Sequence, residues 1–187
     1  MRAAMIVSLA VAGAVGAAAC GGAQSSGRTT PDNEGWSLVE PEGLGFVVEM
    51  PSPPSVSSDT DPTLPGPRER TVYRSGDEDD DISFYVILTK YPEGTFAGGY
   101  SQEQALSDMR AQFVAEHEGG DVERTWFLGA ERVADKATMF IFRTDDGLFW
   151  RVRQYLRGDV MYQVAYATTS VPRRRQGAMF LRSFALF

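Results

Sequence analysis

The sequence predicts an α+β fold dominated by about six to eight antiparallel strands. Three observations carry this. Short runs rich in β-branched and aromatic residues, each bounded by Gly, Pro, Asp or Asn, recur between residues 36 and 168. Among them lies one segment, 101–117, whose apolar residues return at steps of three and four, as on one face of a helix. The chain then closes on a second helical segment, 173–187, with Gly177, Phe180, Leu181 and Phe184 on its apolar side.

The first residues precede that fold. One positive charge, Arg2, is followed by an uncharged run from Ala3 to Ala19 that thins into Ala and Gly. A basic start, an apolar stretch and small residues before a cut describe a secretory signal, and the run is short for a spanning helix, which needs about 20 apolar residues. Ala18-Ala19-Cys20 resembles the processing site of bacterial lipoproteins, with Ala17 where that family usually has Leu. A cysteine is required there because its thiolate is the nucleophile that takes up a diacylglyceryl group. Cys20 is the only cysteine in the chain, so a disulfide partner within the chain does not exist. The alternative is ordinary secretion with a cut at Ala-x-Ala and a free thiol. The expected organisation is therefore a lipoprotein signal peptide over 1–19, a lipid-anchored tether over 20–35 and one globular domain over 36–187. Residues 21–35 are small and polar, the composition of a flexible linker.

Trp36–Glu40 and Gly45–Met50 read as strands around a Pro-Glu-Gly turn. Residues 51–67 read as a proline-rich loop, since proline lacks the amide donor and blocks a helix. Glu69–Arg74 and Ile82–Tyr91 read as a hairpin whose tip is the acidic run Asp77–Asp81. Asp77, Asp79 and Asp81 match the start of an EF-hand loop, but Ile82 stands where glycine is needed and Leu88 where the bidentate glutamate belongs. The run is read as a solvated tip. Ser101 with Gln104 forms a capping-box signature, and Leu106, Met109, Phe113 and His117 share the face of the helix it starts. Gly119-Gly120 is expected to stop that helix.

The C-terminal half reads as an antiparallel meander. Val122–Leu128 and Ala137–Thr144 are strands, Asp146-Gly147 turns into Leu148–Arg157, and Gly158-Asp159 turns into Val160–Thr168. Two-residue turns would set Phe140 and Phe142 opposite Arg153 and Arg151, and Tyr155 opposite Tyr162. Alternation puts Phe149, Arg151, Arg153, Tyr155 and Arg157 on one face and Leu148, Trp150, Val152 and Leu156 on the other. Arginine mixed with aromatics is either a docking face or a set of arginine stems packed over rings. Arg173, Arg174 and Arg175 fall in the first turn of the last helix, where the macrodipole disfavours positive charge. Arg151, Arg153, Tyr155, Arg173, Arg174 and Arg175 are the candidate binding residues.

From Trp36 on, the order of elements resembles the PsbP-like superfamily, the photosystem extrinsic subunit and its bacterial relatives. The residues that carry it are the strand Gly45-Phe-Val-Val-Glu-Met-Pro51 and the closing Phe180-x-x-Ser-Phe184. The pairing with a lipoprotein-type cysteine resembles the LpqN type. The resemblance implies a central antiparallel sheet flanked by helices, and accessory or interaction roles without a shared catalytic constellation.

Function follows mostly by exclusion. The net charge of −7 argues against nucleic acid and against a generic anionic membrane as partner. The chain contains no HExxH, GxSxG or Walker pattern, and His117 is its only histidine, so no catalytic residue, metal or cofactor is expected. The leading expectation is a cell-envelope lipoprotein, not an enzyme, that meets the membrane through Cys20 and a protein partner through its domain. Gly21 rather than Asp after the cysteine directs such a protein to the periplasmic side of an outer membrane, or to the outer surface of a single-membrane cell. A carrier of a small hydrophobic ligand or lipid, with a cavity lined by Phe140, Trp150 and Tyr162, is the second reading. A hydrolase built on a carboxylate pair is the third.

Overall fold

The computed structural model describes residues 35–61, 68–76, 81–97, 99–128, 134 and 136–187. The expected signal segment, Cys20, the expected tether up to residue 34, residues 62–67 and the acidic run Asp77–Asp80 lie outside the described residues.

The order of elements is β1 (Ser37–Val39), β2 (Phe46–Met50), β3 (Ser55–Asp61), β4 (Arg68–Ser75), β5 (Ile82–Lys90), α1 (Gln102–Glu116), β6 (Gly119–Leu128), β7 (Lys136–Thr144), β8 (Phe149–Arg157), β9 (Val160–Thr168), α2 (Arg174–Ser183) and β10 (Ala185–Leu186). A seven-stranded antiparallel sheet runs β3-β4-β5-β9-β8-β7-β6, and a small sheet runs β1-β2-β10. The α+β class and the antiparallel sheet flanked by helices are as the sequence indicates.

α1 lies on one face of the large sheet. Ser101 Oγ accepts the Gln104 amide at 3.0 Å, which starts the helix. Only half of the capping box forms, because the Gln104 side chain reaches forward to Asp108. Leu106, Met109 and Phe113 are buried against Phe140, Phe142, Trp150, Leu156 and Met161. The helix ends at Glu116, and Glu118 takes the left-handed conformation (φ 48°) that Gly119-Gly120 was expected to supply. Those glycines instead begin β6 opposite Thr144.

α2 and the small sheet cover the other face, where Phe84, Val86, Tyr155, Tyr162, Val164 and Tyr166 are buried. Phe180, Leu181 and Phe184 add the helix side of this core, each contributing about 1.5–3 kcal/mol by burial. Trp36 meets Phe84 edge-on at 5.4 Å and packs against this core. The last segment is shorter than the sequence pattern suggests. The helix stops at Ser183, and Ala185–Leu186 pairs with Phe46–Val47 as a strand, because the open edge of β2 offers its backbone partners.

Two further expectations are corrected. Residues 55–61, read as loop, form an edge strand on β4. Their prolines flank rather than interrupt Ser55–Asp61, and an edge strand tolerates Ser, Thr and Asp because half its surface meets water. The β7–β8 register is also shifted by one. Phe140 faces Val152 and Phe142 faces Trp150, while Ile141 faces Arg151 and Met139 faces Arg153. The turn holds one more residue than a tight hairpin, with Gly147 left-handed at φ 88° after Asp145-Asp146. The β8–β9 turn is the expected two residues, and Tyr155 faces Tyr162.

Gly177 seats α2 on the sheet. A Cβ there would come within 3.0 Å of the Tyr166 ring. Alanine contributes about 1 kcal/mol of helix propensity over glycine, but overpacking of a filled core costs about 1–3 kcal/mol. Gly177→Ala is therefore expected to lower the urea midpoint and the Tm. An unchanged midpoint would mean that α2 does not sit this close.

Candidate functional site

The candidate arginines divide into two groups. Arg153 Nη1 donates to the Leu181 carbonyl at 3.0 Å, an acceptor left without an intrahelical partner in the last turn of α2. It also lies 3.4 Å from the Tyr155 hydroxyl. Tyr155 is buried, with its ring stacked on Phe184 at 5.3 Å. These two side chains brace α2 against β8 and offer little surface to a partner.

The others gather at the opposite end of the helix. The Arg174 guanidinium lies 4.1 Å from the Phe149 ring centre, and that of Arg143 lies 5.2 Å from the same ring. Arg151 sits two residues along β8, its Nε 3.3 Å from Met139 Sδ. Burial pushes the Tyr166 hydroxyl up, against the opposing pull of Arg151 beside it. Arg173 and Arg175 are exposed and wall a cleft of about 490 Å³ with Trp36, Pro172, Gln176 and Met179. Arg173 donates to Gln176 Oε1 at 3.2 Å. Arg143 pairs with Glu123 at 2.9 Å, but among the described residues Arg151, Arg173, Arg174 and Arg175 form no ion pair. Their guanidinium groups are forks suited to phosphate or carboxylate oxygens.

Trp36 could not be tied to this site from sequence, because more than a hundred residues separate it from α2. A second surface was equally hidden. β6 is an edge of the large sheet, and near its end Phe127 is 81% exposed and Trp126 36% exposed. The sequence marks that segment as a strand without saying that, among the described residues, no strand pairs with its outer side.

His117 follows the last turn of α1. Its Nδ1 lies 2.7 Å from the Phe113 carbonyl, which it donates to in the neutral form. The ring stacks on Phe113 at 4.3 Å and meets Trp150 edge-on at 4.3 Å. Burial holds its pKa below 6.5, against the opposing effects of the Phe113 carbonyl and Glu116. It borders a cleft of about 320 Å³ with Glu118, Thr144, Asp145, Asp146, Leu148 and Trp150. Among the described residues no group of three or more His, Cys, Asp and Glu side chains stands close enough to hold a metal ion. Phe140 and Trp150 belong to the α1 face and Tyr162 to the α2 face, all three buried, so they do not line a common cavity.

No protein-family model matches this chain, and no curated protein matches it. Among solved structures it is similar to cyanobacterial PsbP (CyanoP) from Synechocystis sp. PCC 6803. The match has a TM-score of 0.50 at 12% identity and covers 92% of this chain and 98% of that one. At that identity the likeness speaks to architecture alone, and the fold of this chain is PsbP-like.

Arg153→Ala is expected to cost about 1–3 kcal/mol in denaturant unfolding, since it strips a partner from a helix-end carbonyl. Arg173→Ala, on the surface, should stay within about 0.5 kcal/mol. Equal effects would contradict the division between bracing and free arginines. His117 yields a pH test. Its folded-state pKa is depressed, so its contribution is complete above pH 6.5 and is lost as pH falls through the folded value. Thermal unfolding of the protein should weaken below pH 6.5 more steeply than that of His117→Phe. Parallel curves would show that the imidazole is not held neutral.

Proposed function

We propose that this chain is a membrane-anchored protein of the cell envelope, held by a lipid on Cys20 and acting as a non-catalytic interaction or assembly factor. Its anchor rests on the signal-like residues 1–19 and the lone cysteine after them. The domain lies on the periplasmic face of an outer membrane, or on the outer surface of a single-membrane cell. It binds an envelope protein rather than transforming a substrate.

The observation that carries this reading is the edge position of β6, which pairs on one side only among the described residues. An edge strand exposes backbone donors and acceptors that accept a further strand. Trp126 and Phe127 project to opposite faces there, so an incoming strand meets an aromatic side chain on each side. Exposed aromatics are frequent anchors of protein interfaces. Asp121, Glu123 and Arg124 charge the first half of the strand, which confines the apolar contact to its last residues. The carrier reading is weaker, because both faces of the sheet are filled by the side chains that would have lined its cavity.

The test is a photocrosslinking amino acid at position 127 of the full-length protein in living cells. One envelope protein joined to position 127, and lost with Cys20→Ala, is expected. Absence of any adduct at 127, with adducts formed from Val56 on the opposite edge strand, would refute this docking edge.

A further inference from the structure

The arginine end of the domain lies where the tether begins. Gly35 and Trp36 are the first described residues, and Trp36 walls the same cleft as Arg173 and Arg175. Cys20 precedes Trp36 by 16 positions in the sequence, and a chain of that length reaches at most about 55 Å, so a lipid on Cys20 holds this end nearer the bilayer than any part of the domain reached later along the chain. The turn before α2 adds an apolar tip. Val171 is 65% exposed and is followed by exposed Pro172. Basic residues around a small apolar protrusion are the composition of a surface that rests in the headgroup layer.

Charge points the same way. The chain carries −7 overall, so an anionic surface repels most of it. Arg151, Arg173, Arg174 and Arg175 have no ion-pair partner among the described residues. Three of them stand at a helix start that disfavours cations. A neighbouring phosphate layer would offset that cost and offer each guanidinium paired oxygens. Phe127 lies opposite Thr138, on the Gln154 row, whereas Arg143 lies on the Phe149 row. Five residues of strand separate the rows, roughly 17 Å, so the β6 aromatics stand away from the arginine end.

We infer that the arginine end of α2, with Val171-Pro172, docks on the anionic phospholipid headgroups of the membrane that holds the anchor. This rests on the lipid at Cys20, and it fixes the orientation of the domain, with the Trp126-Phe127 end of β6 turned away from the bilayer. The net charge of −7 disfavours a generic anionic membrane for the chain as a whole, whereas this patch is locally cationic.

The full-length protein is incorporated into phosphatidylcholine vesicles with or without 30% phosphatidylglycerol. Two readouts separate the anchor from the patch. Co-sedimentation in 0.5 M NaCl reports the anchor, since salt screens the arginines. Hydrogen exchange of residues 169–179 at low salt reports the patch. Exchange should slow by about tenfold with phosphatidylglycerol only, an effect lost in 0.5 M NaCl and in Arg173→Glu/Arg175→Glu, and kept in Arg182→Glu at the far end of α2. Equal exchange on both vesicles, with co-sedimentation intact, overturns the orientation and leaves the anchor standing. Loss of co-sedimentation at high salt overturns the anchor, and with it the inference. Protection in native membranes but never with pure lipid also overturns it, in favour of an acidic protein.

Discussion

The seating of α2 on Tyr166 is the contact on which much of this structure depends. Only a glycine lets a helix come this near to an aromatic ring, and Gly177 stands at that point. The approach drives Phe180, Leu181 and Phe184 into the core between the helix and the sheet. It also delivers the chain end to β2, where β10 completes the small sheet. The Arg153 bond to Leu181 then locks the last turn of the helix from below. The same placement sets Arg174 over Phe149 and leaves Arg173 and Arg175 beside Trp36. Core packing and the exposed cationic end are thus two consequences of one helix position.

The α1 face shows a different kind of constraint. Thr138, Gln154 and Gln163 occupy one cross-strand row and are buried. Thr138 donates to Gln154 Oε1 at 3.1 Å, and Gln163 donates to the Met109 carbonyl at 3.4 Å. A slip of one residue would exchange these side chains with apolar ones from the other face. The Thr138–Gln154 and Gln163–Met109 bonds therefore favour this register beyond what apolar burial does, while Gln154 Nε2 is left without a partner among the described residues.

Function, on this reading, is divided between two ends of the sheet. The end that holds Trp36 is cationic and carries an exposed valine, while the far end of β6 presents two aromatics on a strand that pairs on one side only among the described residues. Neither end needs a reactive group. His117, the residue most open to a catalytic reading, is occupied by its own helix carbonyl and by two aromatic rings. Its place is explained by packing.

Local chemistry settled a good part of the fold in advance. Ser101 as a cap, the 3.6-residue spacing through Phe113, the Gly158-Asp159 turn and the alternation along Phe149–Arg157 all act within a few residues, so each was legible. The Arg174 contact with Phe149 also follows the expected habit of arginine stems on rings. The features that the sequence hid are those set by distant partners or by one added residue. Gly147 in the left-handed region moved Phe140 and Phe142 by one register position. The pairing of Ser55–Asp61 with β4, and of Ala185–Leu186 with β2, depended on which sheet edges stood open. The joining of Trp36 to Arg173 and Arg175, and the exposure of Trp126 and Phe127, follow from tertiary packing and strand order. By itself the sequence determined the type of most elements, though not of Ser55–Asp61 or Ala185–Leu186, their helical or alternating faces and the expectation of an anchor at Cys20. Only the tertiary structure decided register, edges and which arginines stay free, because those depend on contacts between segments that periodicity and turn chemistry cannot reach.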